Sequence, residues 1–462
     1  MTSPSIHRRP AGLVTALLLA LTSASQAQAP AVIFPASGTL PNYDRIPIGQ
    51  VEGLESGAYV ARTGDAGSPW YNPAGLVLSE KSGLNASSNA YELNKVTLEG
   101  VGTAKGSTRF SPVGTYFGAV IGAPIIHSNR WRLGFGYTKS VSWTPGLLDG
   151  SLSFSSGGSS ETFGYSSSSN FTVITPGVDA GFKVSDRIRV GAGVSYALTS
   201  MLQSQGITDR LYSAAADTTA IRSVSLDASA QQLLFSAGAQ FDVGSKVRIG
   251  ALVVSPGART GGSAKVLYSL TGFSTNGSTD IAFRDAEARF EYKIPVRLVG
   301  GVSIDLGRFQ LEGDVRYHGS TKSYDLLKSD VLATRITTDA TGTPTVDSIP
   351  FTTISEAAKS VVNVAVGGNY LIARGIRLHA GFFTDGSPVD SSATSIFRSL
   401  DLYGGSFGIS FTGNHLSGSL GAAGSFGITE DRQLGTSLGG RTQVTRLKVS
   451  TFTFMYAVSY KF

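Results

Sequence analysis

The chain has 462 residues, a formal net charge of +6, no cysteine, and only 15% charged residues, against roughly 25% in ordinary soluble domains. The lack of cysteine excludes disulfides, thiolate metal sites and cysteine nucleophiles, and a diffuse positive charge without a Lys/Arg cluster argues against a nucleic-acid partner. Outside the N-terminus no run of 18 apolar residues offers a transmembrane helix, yet a low-charge chain can still live in a membrane if its apolar residues alternate, as in a transmembrane β-barrel.

In chain order, Arg8 and Arg9 precede "LVTALLLAL" and then a small-residue stretch. This pattern predicts a secretory signal peptide over 1–27, cut after Ala27. Residues 28–82 follow, carrying Pro30, Pro35, Pro41, Pro47, Pro69 and Pro73. Proline is disfavoured inside a closed ladder, so this stretch is read as a plug, or hatch, or else as a periplasmic arm, ahead of the first strand. From there to the end, 83–462, period-two segments recur. They fall at 83–95, 110–123, 131–143, 169–183, 187–203, 228–242, 246–258, 288–305, 308–320, 359–372, 376–386, 402–412, 415–428 and 447–462. The expected fold is therefore all-β, a 14-stranded antiparallel transmembrane barrel with an N-terminal plug in its lumen.

Within "RFQLEGDVRYH", Phe309, Leu311, Val315 and Tyr317 share one face, and Gln310, Glu312, Asp314, Arg316 and His318 share the other. A face so polar cannot form a dry core without dense pairing, whereas a barrel lumen accepts it. The connections alternate in length. "VSDR", "VGSK", "LGR", "IARG" and "TGNH" are tight turns, while 143–168, 204–227, 259–287 and 321–358 read as long extracellular loops, the asymmetry of an outer-membrane barrel. The terminal "TFTFMYAVSYKF" places Phe452, Phe454, Tyr456, Val458, Tyr460 and Phe462 on one face. That face is expected to meet outer-membrane lipid, and the terminal aromatic resembles the signal by which barrel-assembly machinery recognises its clients.

Three stretches carry a family resemblance. "ARTGDAGSPWYNPAGL" (61–76), with Asp65-Ala66 and Asn72-Pro73-Ala74 before Gly75, resembles the N-terminal hatch of the FadL family of outer-membrane transporters. "RLHAGFFTDGSPVDSS" (377–392) is similar to that family's late-strand D-x-S-P-V segment, here Asp385 to Val389. "TVITPGVDAGFKVSDRIRVGAGVSYAL" (172–198) resembles its central strand-turn-strand. The resemblance implies passive uptake of hydrophobic compounds across the outer membrane, with long-chain fatty acids first and aromatic hydrocarbons second. It also implies that Asp385 belongs to a lumenal ligand site and that the third strand, which contains Gly134 and Gly136, is kinked. A FadL-like scaffold for a secretion or surface-attachment system and a general porin are the alternatives.

Read from the residues, Pro73 drives Asn72 out of the helical region, so Asn72-Pro73-Ala74 is expected to form a rigid elbow in the plug, with Asp65 part of the hatch motif by resemblance. Arg316 and Arg377, with Arg189, Arg248 and Arg297, should face the lumen. Arginine binds carboxylates bidentately, so Arg377 and Arg316 join Asp385 as candidates for holding a fatty-acid head group, against the alternatives of pairing with Glu291, Glu312 or Asp314, or of fixing the plug. The phase change around Thr175-Pro176-Gly177 predicts a bulge. Enzymatic readings find no recognisable nucleophile pattern beside His318 or His379, no metal-ligand spacing appears, and no cofactor is expected.

Overall fold

The computed structural model describes residues 39–45, 48–79, 81–99, 107–156, 159–213, 216–390, 393, 396–431 and 445–462. The signal peptide read at 1–27, and the start of the plug at 28–38, lie outside the described residues. No helix among these residues is long and apolar enough to cross a membrane.

The strands run in chain order as β1 (Gly83–Glu99), β2 (Ser107–Ile121), β3 (Trp131–Ser156), β4 (Ser159–Lys183), β5 (Ile188–Ser213), β6 (Ala216–Val243) and β7 (Val247–Val254). After these come β8 (Ala258–Ser274), β9 (Gly277–Phe290), β10 (Arg297–Asp305), β11 (Phe309–His318), β12 (Thr321–Lys328), β13 (Leu332–Asp339) and β14 (Pro344–Pro350). The last are β15 (Ile354–Ala358), β16 (Val361–Ala373), β17 (Ile376–Asp385), β18 (Leu402–Thr412), β19 (Leu416–Asp431) and β20 (Thr445–Lys461). Following the pairings from β1 through β7, then β10, β11 and β16 to β20, closes an antiparallel ring of 14 strands. The last seam joins β20 to β1 from Gly83↔Lys461 to Glu99↔Arg446. A closed ring leaves no edge, the condition for a sheet to span lipid.

Side-chain direction follows the alternation. On β11, Phe309, Leu311, Val315 and Tyr317 are exposed on the outer surface, while Glu312, Asp314 and His318 are buried inside. On β20, Phe452, Phe454, Tyr456, Val458 and Tyr460 point outward, and Thr451, Thr453, Met455 and Ala457 inward. An outward apolar band around a polar interior is the pattern that lipid selects.

The segments read as long loops are sheet. β3 and β4 pair without leaving the ladder up to Ser156↔Ser159, and β5 and β6 up to Ser213↔Ala216. β8 and β9 continue the wall above β7 and β10, and β12 to β15 above β11 and β16. With 26 residues in β3 at about 3.3 Å each, that strand is about 85 Å long, several times the ~25 Å apolar band of such barrels. The reading missed an inward apolar face: on β6, Val224, Leu226, Ala228 and Ala230 are buried in a cluster between exposed Ser223, Ser225, Asp227 and Ser229. Only the Ser-rich ends of β3 and β4 carry little apolar-polar contrast while the backbone ladder persists.

The expected bulge at Thr175-Pro176-Gly177 is also corrected. Phe171, Val173, Thr175, Asp179 and Gly181 all turn inward, and Val178 and Phe182 outward, and β4 keeps its register with β5 from Ile174↔Leu198 to Gly177↔Ser195. What changes along β4 is the interior itself, apolar above and polar below, so apolar residues switch faces without any slip. The extra residue lies opposite, on β3, where Ser140 is skipped between Lys139↔Ile174 and Val141↔Val173.

The described residues between 39 and 82 lie inside the ring. A 3-10 turn (Gly53–Glu55), a single helical turn (Ser68–Tyr71) and a second 3-10 segment (Pro73–Leu78) carry the chain across the lumen. The first leans on β16 to β19 and the last on β3 to β6. Where this hatch meets the wall, the wall is glycine. A Cβ at Gly191 would strike the Pro73-Ala74 peptide, at Gly250 the Val60-Ala61 backbone, at Gly367 and Gly381 the Glu55 backbone, and at Gly421 the Leu54 side chain. Gly134 and Gly136 belong to this belt, since Cβ atoms there would come within 2.7 Å of Leu76 and 2.9 Å of Pro69. They clear room for the hatch; the irregularities of β3 lie above them, at Ser140 and between Trp143 and Gly146.

Candidate functional site

Above the hatch the lumen is filled by an apolar cluster in which Trp143, Phe163, Phe171, Met201, Phe290 and Phe397 are almost fully buried. Phe171 packs edge-to-face on Tyr292 and Phe397, with ring centroids 5.1 and 5.4 Å apart. Between cluster and hatch lies a cavity of about 100 Å³. Trp70, Leu234, Leu252, Val254, Tyr292 and Ile294 give it an apolar wall, and Asp179, Arg297 and His318 are among its charged or titratable members. A second cavity of about 40 Å³ shares Tyr43, Trp70, Leu252 and Arg297 with it.

Arg297 is placed by the first position of β10 and held by Trp70, whose ring centroid lies 4.3 Å from the guanidinium carbon. Its Nε is buried without a hydrogen-bond partner, and no carboxylate lies within ion-pair distance among the described residues. The other lumenal arginines are engaged. Arg189 and Arg248 both bind Asp242 at 2.6 Å. Arg316 donates to the Gly57 carbonyl at 2.6 Å and faces Asp44 at 3.4 Å. Arg377 donates to Asn369 Oδ1 at 2.6 Å.

The roof of the site is the segment 39–45. The Asn42 amide donates to the carbonyls of Asp385 (2.9 Å) and Leu400 (3.0 Å), and the Asp44 N–H donates to Asp385 Oδ1 at 3.1 Å. The Asp44 carboxylate receives Asn363 at 2.7 Å and lies 2.9 Å from His318 Nε2. Burial by itself would raise the Asp44 pKa, but His318 and Arg316 hold it well below the usual carboxylate range. Tyr43 stacks on His318 at 4.5 Å, and Arg45 binds Glu92 of β1 at 2.7 Å.

Of the residues singled out from the sequence, Asp385 and Arg316 converge on Asp44. Arg377 does not join them: it lies eight positions from Asp385 on β17, about 26 Å at 3.3 Å per residue. Asn72 adopts the extended conformation expected before proline (φ −169°, ψ 110°) and accepts from the Ala74 N–H at 3.1 Å. Its amide nitrogen reaches Val60 O in the hatch (2.9 Å) and Ala239 O in β6 (3.0 Å), so the elbow is tied to the wall. Asp65 closes a local turn by accepting from the Gly67 N–H at 2.8 Å. Glu312 pairs with Arg62 of the hatch at 3.0 Å, and Glu291 with Arg289 at 2.9 Å near the projecting end. Trp70 and Tyr43 were missed. The only signal for Trp70 was the scarcity of tryptophan, three in the chain, inside the hatch motif.

Beside this cavity the wall is incomplete. β2 and β3 pair from Tyr116↔Thr138 to Ile121↔Leu133. Beyond Thr138, β3 continues paired with β4, and β2 continues paired with β1. The cavity touches β3 at Gly136, Thr138, Ser140 and Val141, at the mouth of this seam.

No protein-family model and no curated protein sequence matches the chain. Solved structures do match in fold. A Pseudomonas aeruginosa FadL homologue is 14% identical with a TM-score of 0.58, over 91% of this chain and 100% of that one. The monoaromatic hydrocarbon channel CymD is 15% identical with a TM-score of 0.53, over 91% and 99%. The Pseudomonas putida toluene transporter TodX is 12% identical with a TM-score of 0.53, again over 91% and 99%. The 14-stranded barrel of the present chain is the fold of these channels.

Proposed function

We propose that the chain is an outer-membrane channel for the passive uptake of hydrophobic compounds, with long-chain fatty acids as the leading substrate class and aromatic hydrocarbons second. The observation that carries this reading is the apolar cavity between hatch and upper cluster, bordered by Arg297 and opening toward the β2–β3 seam. An apolar solute gains about 25 cal/mol per Å² removed from water, so a greasy lining gives it a favourable resting place. A seam where two strands part beside that cavity supplies a sideways path into the lipid, and the hatch below blocks a straight aqueous one. The named activities of the structural neighbours CymD and TodX are consistent with such cargo. On this reading the short turns face the periplasm and the projecting hairpins the cell exterior.

Arg297 is the better candidate than Arg377 for holding a carboxylate, because it borders the cavity and has no acidic partner among the described residues. A charge-assisted hydrogen bond contributes about 1.5–3 kcal/mol. Arg297→Met should therefore weaken fatty-acid binding roughly tenfold to a hundredfold and leave the methyl ester nearly unchanged, measured by native mass spectrometry of the purified barrel. Equal losses for acid and ester would make Arg297 a structural residue and favour uncharged hydrocarbons. The filled upper lumen supports the scaffold as second reading; failure of both acid and hydrocarbon to bind would favour it.

A further inference from the structure

At the short-turn end of the lumen, three residues far apart in sequence meet. His379 Nδ1 lies 2.6 Å from Glu55 Oε1, and His379 Nε2 lies 2.8 Å from Ser410 Oγ. Glu55 comes from the hatch, 324 positions before His379, and Ser410 follows 31 positions after it, so no local motif could announce the group. All three are buried, Glu55 completely. Glu55 is itself fixed by Arg62, which forms an ion pair with Oε2, and by the Asn369 amide at 2.9 Å from Oε1. With Glu55 ionised, the imidazole proton belongs on Nδ1, and the lone pair of Nε2 faces the serine hydroxyl.

This is the order nucleophile, base, orienting carboxylate that activates serine in acyl transfer, and such triads are recognised by geometry, whatever the chain order or fold. The group borders a cavity of about 200 Å³ whose lining includes Ser410, His379, Asn369, Arg377 and Thr412. Arg377 stands directly opposite Ser410 in the β17–β18 ladder, where Cβ atoms are about 4.5–5.5 Å apart. It brings a positive charge to the place where an oxyanion would form.

We propose that Ser410 is an acylatable nucleophile, with His379 as its base and Glu55 as the positioning residue, and that the barrel hydrolyses small carboxylic esters entering from the short-turn mouth. Ser410 Oγ attacks the ester carbonyl while its proton passes to His379 Nε2. The C–O bond to the alcohol breaks, and His379 returns the proton to the departing alkoxide, leaving an acyl-serine. Water then attacks the acyl carbon, giving up a proton through His379, and releases the carboxylic acid and free Ser410. No oxidant or reductant enters. This activity stands apart from the transport reading, since the group lies against β17 and β18, away from the elbow's wall contacts on β5 and β6 and away from Arg297.

The test uses the full-length barrel, folded in detergent and identified by heat-modifiable mobility. A fluorophosphonate probe should label Ser410, located by peptide mass spectrometry, and heat-denatured protein should not be labelled. The folded barrel should release p-nitrophenol from p-nitrophenyl butyrate. Ser410→Ala, a change of one oxygen, should abolish both signals with the barrel still folded. His379→Gln should slow labelling by roughly 10²–10⁴-fold, the usual worth of a general base. An unlabelled Ser410 in folded protein would overturn the proposal. So would labelling that survives His379→Gln at full rate or appears equally after denaturation.

Discussion

Glu52 shows how a single side chain tunes the hatch. It is fully buried, and no hydrogen bond of good geometry ends on either carboxylate oxygen. Burial first, and the neighbouring Asp65 charge second, push its pKa well above the usual carboxylate value. A docked hatch therefore holds this proton to higher pH than a released hatch does. By linkage the cost of docking is absent below the released-state pKa of about 4.3 and grows as pH rises through the docked-state value. Acidification should tighten the hatch, and Glu52→Gln should tighten it at neutral pH while flattening its pH dependence. Amide hydrogen exchange over residues 48–79 at several pH values reads this directly. Identical pH profiles for the two proteins would show that Glu52 does not control docking.

Among the elements, the elbow at Asn72-Pro73 is the one the proposed transport reading assigns to gating. Its amide joins hatch to hatch at Val60 and hatch to wall at Ala239, and Pro73 limits the disorder available to a released segment. Changing Asn72→Ala together with Pro73→Gly should leave the barrel folded, because the ladder alone closes the wall. Uptake of hydrophobic compounds by whole cells should fall, and small-ion conductance in planar bilayers should stay level or rise. Normal uptake with normal conductance would remove the elbow from the gating mechanism. The elbow was legible because proline restricts its predecessor wherever it occurs, and the spanning parts of the strands were legible because one face meets an apolar medium. Above them the Ser-rich ends of β3 and β4 lose that contrast. Phe171 and Val173 were assigned a phase change that belongs to the interior they face. The site itself draws on Tyr43, Trp70, Leu252, Tyr292 and Arg297, which only ring closure brings together, so no pattern along the chain could place Arg297 above Arg377.

For the whole molecule, β20 is the closing strand, hydrogen-bonded to β19 on one side and β1 on the other. The Phe462 N–H donates to Ser82 O at 3.0 Å, so the terminal residue fastens the end of the chain to the root of β1. Deleting Phe462 removes this bond along with an aromatic anchor, and the folded fraction on a heat-modifiability gel should drop sharply. Unchanged folded yield would show that closure does not depend on the terminus.

The glycine belt has a consequence for portability. Because the wall receives the hatch mostly against main chain, the information that fits plug to barrel is written in the wall and only sparsely in the plug. Hatch side chains away from the elbow, the ion pairs and the glycine contacts of Leu54, Pro69 and Leu76 can drift, whereas Gly191, Gly250, Gly367 and Gly381 cannot gain even a methyl group without displacing backbone. A hatch grafted into a foreign barrel would be refused unless those glycines travelled with it, and a barrel that lost them would evict its own.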